Sequence, residues 1–179
     1  MMKHLVVTLG FFLTLTAHAA CEIPAFDQVV LKQIFILRDA ARLGALQNDS
    51  TLNAVAKRVA DANLEREDII QHRDAEGKLV SERVREEGYS GHAGEIVSVG
   101  FIPCDAESEA KSQSHERALE LGQEFKEVIR NSPSHYHGIM AQTGTDWDQF
   151  GYSLQTKRVY IGKACLQKYS LGLVLGKQP

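Results

Sequence analysis

The stretch Asn131-Ser132-Pro133-Ser134-His135-Tyr136-His137-Gly138-Ile139-Met140 sets two histidines beside a proline-driven break. Histidine changes charge near neutral pH, and its neutral ring can serve as a base or a metal ligand. Pro133 fixes its own φ and pushes Ser132 out of the α region, so the preceding helix is predicted to stop near Asn131. Ser132 or Ser134 can then cap whatever begins at His135. A histidine just after such a break belongs at the lip of a cleft, which makes His135 the first candidate. His137, two residues on, points with His135 in an extended segment and away from it in a helix; it reads as a solvated neighbour. His92 precedes Glu95 by three, a spacing that shares a helix face, and reads as a rim residue. Ser132 or Ser134 beside His135, with Glu95 as orienter, imitates a nucleophilic triad. A triad is defined by geometry, however, and no Gly-x-Ser-x-Gly elbow is present.

The elements that must position these residues begin after residue 20. Met1 to Ala20 reads as a secretory signal: Lys3, an apolar run from Leu5 to Leu15, then the small-x-small pattern Ala17-His18-Ala19. The run is too short to cross a bilayer. Cys21 just past the cut suggests a lipid anchor, yet His18 stands where a lipobox wants an aliphatic residue, so plain export is the better reading. Residues 21–179 are one domain's worth of chain. The formal net charge is −3, and apart from Lys157-Arg158, placed in a turn, no basic cluster stands out. Nucleic acid is therefore excluded as a partner, and nothing after the signal is long and apolar enough to span a membrane. Of the three cysteines, Cys104 with Cys165 is the preferred disulfide of an exported chain, with Cys21 free or lipidated; Cys21 with either of the others stays open.

Helical periodicity is plain in Phe26, Val30, Ile34, Leu37 and Ala41, and again in Leu52, Val55, Ala56, Val59 and Ala60, with Ser50 offered as the second helix's N-cap. Asp74 to Gly77 is a turn. Val80 to Glu87 is a short charged helix stopped by Gly88. In it, Glu82 and Arg83 read as a surface ion pair able to reach the cleft. Tyr89 to Gly100 reads as loop or short helix, and Phe101 to Cys104 as an irregular link. A long amphipathic helix is predicted from about Ser108 to Arg130, with His115 on its polar side. Trp147, Phe150, Tyr152 and Leu154 suggest a strand that turns at Gln155-Thr156 into Val159 to Leu166, followed by a third strand from Tyr169 to Leu175. The aromatic residues Trp147, Phe150, Tyr152 and Tyr160 read as core and cross-strand pairs. Helices first and a small antiparallel sheet last argue an α+β fold.

The segments IIQHRDAEGKLVSERVREEGY, HAGEIVSVG, IRNSPSHYHGIM and FGYSLQTKRVYIGKACL, in that order from about Leu37 to Leu166, resemble the bacterial branch of the CAP superfamily of cysteine-rich secretory, antigen 5 and pathogenesis-related proteins. The resemblance implies a single CAP domain over 21–179, an α-β-α sandwich around a small antiparallel sheet. It also implies an open cleft with two histidines and one or two acidic residues on its floor. Residue by residue, those positions fall on His72, Glu95 and His135. A fourth, acidic in many eukaryotic members, falls on Ser132, with Glu127 one turn earlier as a possible substitute. Ile96 stands where the pattern has Asn, and Ile129 where it has Trp.

Two imidazoles and a carboxylate could hold zinc or another divalent cation and acidify its bound water, which opens hydrolysis. Equally, His72, Glu95 and His135 could form a metal-free hydrogen-bonded network in which the carboxylate selects an imidazole tautomer. The leading expectation is an exported bacterial protein, secreted or periplasmic, whose cleft binds a ligand or partner, with a divalent metal as an open option and no reaction assigned. The alternatives are a metal-dependent hydrolase acting outside the cytoplasm, and a non-catalytic structural or adhesive surface module.

Overall fold

The computed structural model describes residues 26–67, 69–103, 123, 126, 127, 129–140 and 146–179, with only the backbone at 26–30, 102 and 103. The predicted signal segment, Cys21, Cys104, His115 and most of the helix expected from Ser108 to Arg130 lie outside these residues. The elements run α1 (Phe26–Ala40), β1 (Gln47–Asn48), α2 (Ser50–Glu65), α3 (Val80–Glu86), β2 (His92–Pro103), α4 (Pro133–Ile139), β3 (Gln149–Ile161) and β4 (Ala164–Lys177). The strands form one sheet in the order β1-β3-β4-β2, with β1 parallel to β3 and the other pairs antiparallel. The fold is α+β, and its sheet is mixed, where an antiparallel one was expected.

Alternation along β4 sends side chains to both faces of the sheet. Leu171, Leu173 and Leu175 join Ile34 and Leu37 of α1, Ile139 of α4, Ile129, Trp147 and Phe150 in one core. Val174 points the other way and packs with Leu52, Val55 and Ala56 of α2, Val84 of α3 and Tyr89. Each fully buried Leu, Ile or Val here contributes about 1.5–3 kcal/mol. α2 lies unusually close to the strands beneath it. A Cβ on Gly151 would sit 2.0 Å from the Leu52 carbonyl carbon, and one on Gly172 would sit 2.5 Å from the Ala56 oxygen. Only glycine leaves room for that approach.

Local chemistry explains where the helices start and stop. Gln47 and Asn48 pair with Gln149 and Phe150, and the Asp49 N–H donates to the Phe150 carbonyl at 2.9 Å. The chain stays extended through Asp49, which therefore takes the N-cap position expected for Ser50, its Oδ1 accepting the Leu52 N–H at 2.9 Å. α3 ends as predicted at Gly88, which has φ +82°. The Tyr89 N–H reaches back to Val84 at 2.8 Å and the Gly88 N–H to Arg85 at 3.2 Å, a Schellman closure.

The strands depart most from expectation. β2 occupies the stretch read as a glycine-rich loop and irregular link. Ile96 and Val97 are both buried, because helices cover both faces, so no alternation marks the strand. Its conformation comes from pairing with β4, from His92 opposite Lys177 to Pro103 opposite Leu166. Likewise Gln155 and Thr156 do not turn. β3 runs through them, Lys157 and Arg158 are strand residues, and the hairpin turns at Gly162, φ +61°. Trp147 is buried just before β3, whereas Tyr160 is exposed rather than core.

Candidate functional site

His72 sits on the connection between α2 and α3, and α2 holds that connection on both sides of it. The buried Asn63 amide donates to the Gln71 carbonyl at 2.8 Å and accepts from the Gln71 N–H at 2.9 Å, copying a backbone pair. The Arg66 guanidinium donates to the carbonyls of Arg73 (2.7 Å) and Asp74 (3.1 Å). Asp74 is buried and accepts from the backbone N–H of Lys78 at 2.8 Å, the N–H of Glu76 at 3.1 Å and Arg58 at 2.6 Å. Burial opposes ionisation of Asp74, but the Lys78 N–H and the Arg58 guanidinium outweigh it and hold the carboxyl below its usual range.

Against this fixed connection, β2 presents Glu95 and α3 presents Arg83. The Arg83 side chain is 0% exposed and that of Glu95 is 2% exposed. Glu95 Oε1 meets His72 Nδ1 at 3.0 Å, and Glu95 Oε2 accepts a short hydrogen bond from Arg83 Nη2. Arg83 Nη1 also donates to the Val55 carbonyl of α2 at 3.1 Å. Both carboxylate oxygens are thus engaged inside the protein. The hydrogen bond His72 donates to Glu95 raises the affinity of the ring for a proton, against burial and the Arg83 charge. In neutral His72 the Glu95 contact favours the proton on Nδ1 and leaves Nε2 as the open acceptor.

His135 comes from the opposite layer. Pro133 opens α4 with Ser132 at its N-cap, but the Ser132 side chain makes no capping bond; its Oγ lies 3.5 Å from Ser134 Oγ. At the other end, the buried Arg38 of α1 donates to the Ile139 carbonyl (2.8 Å), Trp147 carbonyl (3.0 Å) and Gly44 carbonyl (2.9 Å). Trp147 Nε1 donates to the Gly138 carbonyl at 2.7 Å. α4 is therefore anchored by its C-terminus, where the helix dipole favours a cation. Burial lowers the proton affinity of His135, and the charge of His72 lowers it further. β2, which carries Glu95, is an edge strand of the sheet.

Of the expected cleft residues, the structure joins His72 to Glu95 and sets His135 within electrostatic reach of His72. The Ser132 hydroxyl turns to Ser134 instead of joining these three. His92 and Glu95 do not share a face, because residues three apart in a strand point to opposite sides. His137 is exposed beside the Tyr136 ring. Glu127 pairs with Arg130 at 3.5 Å on the surface and does not replace the fourth acidic residue. The triad-like reading fails on geometry, because Glu95 orients His72. Arg83 is the residue the sequence reading misplaced. It is the buried partner of Glu95, while Glu82 caps α3 by accepting the Leu79 N–H at 2.8 Å. Among the described residues Cys165 has no disulfide partner, and its candidate partners, Cys21 and Cys104, lie outside them.

A divalent cation fits this arrangement poorly. Among the described residues no group of three or more His, Cys, Asp or Glu side chains is gathered to hold a metal. Moreover, the buried Arg83 guanidinium already supplies the positive charge that Glu95 needs. What the arrangement can do is present a carboxylate-backed imidazole, half exposed, with Nε2 free to accept a proton or hydrogen bond.

These features define an α+β protein with helices on both faces of a mixed sheet and a buried ion pair beneath an exposed histidine at the sheet edge. No family model matches the chain, and no curated protein matches it. Among solved structures it is similar to an outer surface protein from Borrelia burgdorferi, with 21% sequence identity and a TM-score of 0.58, over 88% of this chain and 96% of that one. At that identity the likeness concerns the fold. Among the described residues no helix is long and apolar enough to cross a membrane.

Proposed function

We propose that this chain is an exported protein of the CAP type whose edge cleft, formed by His72, Glu95, Arg83 and His135, binds a ligand or partner without a metal. The observation that carries this reading is the engagement of both Glu95 oxygens, by His72 and by Arg83. That bonding favours the proton on Nδ1 and leaves Nε2 of a half-exposed ring as an acceptor when the ring is neutral and a donor when it is protonated. The fold likeness to an outer surface protein supports a surface or periplasmic location, as does the signal-like start of the sequence. The Cys104–Cys165 bridge belongs to the same reading.

The test is a calorimetric titration of the purified protein with zinc chloride, beside a His72→Ala/His135→Ala variant. The expected result is no saturable binding to either. Micromolar zinc binding that disappears in the variant would overturn the metal-free reading and favour the hydrolase. Peptide mapping of the exported protein without reductant checks its start, expected at Ala20 or Cys21, and the cysteine pairing.

A further inference from the structure

The two sides of the sheet end differently. On one side the start of β3 is covered. Gln47 and Asn48 of β1 pair with Gln149 and Phe150, the Asp49 N–H donates to the Phe150 carbonyl at 2.9 Å, and Asn53 Oδ1 accepts the Tyr152 N–H at 2.8 Å. Further along, β3 carries Lys157 and Arg158, charges of the kind that keep a strand edge from pairing with its like. On the other side, β2 pairs with β4 alone. Among the described residues no other backbone hydrogen bond reaches residues 92–103.

None of the usual devices blunts the β2 edge. Its register runs one to one from His92 opposite Lys177 to Pro103 opposite Leu166, without a bulge. From Ile96 to Ile102 the sequence is Ile-Val-Ser-Val-Gly-Phe-Ile, with neither charge nor proline, and its apolar members are strong strand formers. Phe101 is 53% exposed, and Ile70, which borders the same groove as Val99 and Phe101, is 45% exposed. A strand added here would satisfy the outward N–H and C=O groups and cover that apolar surface.

Charge selects the partner. Pairing through the far part of β3 would bring Lys157 and Arg158 of two copies together, and like charges opposite one another are unfavourable. The matching edge among the described residues, long, regular and neutral, is β2 itself. Laid antiparallel on its own copy about the midpoint of Ile96–Ile102, it sets Val99 against Val99, Phe101 against Val97 and Ile102 against Ile96, and no charge meets its like. We propose that two copies of this chain join edge to edge through Ile96–Ile102, about a twofold axis at Val99, into one continuous sheet.

Sedimentation velocity on the purified protein, from low to high micromolar concentration, should show monomer passing to dimer and nothing larger, because a twofold contact closes on itself. Val99→Lys places like charges together at the axis and should weaken the dimer at least tenfold. Ser98→Lys, on the other face of the strand, should do the same, while Val99→Thr, neutral and β-branched, should keep the dimer. Thermal melts of the dilute variants verify that each is folded. Lys157→Glu on the other edge should change nothing. His72→Ala should also leave the dimer intact, so this contact stands or falls apart from the cleft. Hydrogen exchange in concentrated protein should slow at alternate amides between Ile96 and Ile102 and not in β3. A monomer at every concentration, a dimer indifferent to both lysine variants, growth beyond two copies, or slowing in β3 instead of β2 would each overturn the proposal.

Discussion

Two buried arginines serve the cleft in different ways. Arg83 faces a carboxylate and exchanges charge for charge with Glu95, which in turn orients His72. Arg38 faces carbonyl oxygens, three of them, and among the described residues no carboxylate bonds to it. Burial lowers its proton affinity, with the more distant charge of Asp146 opposing that, and the C-terminus of α4 supplies the partial negative charge in place of an acid. The first arginine tunes a titrating group. The second is a rivet that holds the His135 helix against α1 and the loop before β3. An ion pair suits a place where charge must be controlled, and carbonyls suit one where geometry alone matters.

That contrast can be broken most sharply at Arg83. Arg83→Met strands the Glu95 charge in the interior and is expected to cost about 3–5 kcal/mol in chemical denaturation, whereas Arg83→Met with Glu95→Leu should recover most of it. A double variant no better than the single would show that the pair is not the unit. Next in size, Arg38→Met leaves three carbonyls without a donor and should cost about 2–4 kcal/mol. Its second readout is local: hydrogen exchange should quicken at the amides of α4 and leave those of α3 alone. Uniform quickening would remove the distinction between the two arginines.

A smaller effect tests how the His72 connection is held. Asp74→Asn should cost about 1–3 kcal/mol near neutral pH. Because the folded pKa of Asp74 is depressed, the wild-type advantage exists above 3.8 and is lost as pH falls through the folded value. Equal stabilities at neutral pH would show that Arg58 and Asn63 suffice.

The least costly probe is the titration of the histidines by NMR. His72 should titrate above 6.5, so its stabilising contribution is complete below that pH and fades as pH rises through the folded value. His135 should titrate below 6.5, with the opposite slope. Glu95→Gln should return His72 towards 6.5, and a His72 unmoved by it would separate the histidine from the Arg83 pair.

The helices were legible in the residues because their periodicity reflects a single buried face. Leu52, Val55, Ala56 and Val59 announce α2, and Gly88 announces the end of α3. Motif order also placed His72 and Glu95 in one set, and these two side chains do meet. β2 was not, because burial of Ile96 on one face and Val97 on the other erases the alternation by which a strand is recognised. The hairpin turn was misplaced for a related reason. Gln155 and Thr156 are polar, but their backbone groups are taken by β4, and only Gly162 adopts the positive φ that the reversal requires.

By itself, then, the sequence determined the local states that depend on neighbours in the chain: helix faces, caps within a residue, glycine stops and the proline break before His135. The tertiary structure alone decided which charges share an interior. Nothing in Ser81-Glu82-Arg83-Val84-Arg85 distinguishes Arg83 from Arg85. One is buried and one exposed only because α3 lies across β2 at Glu95 and beside α2 at Val55. A buried charge is tolerable where a partner from a distant part of the chain arrives to meet it, and that arrival is a property of packing.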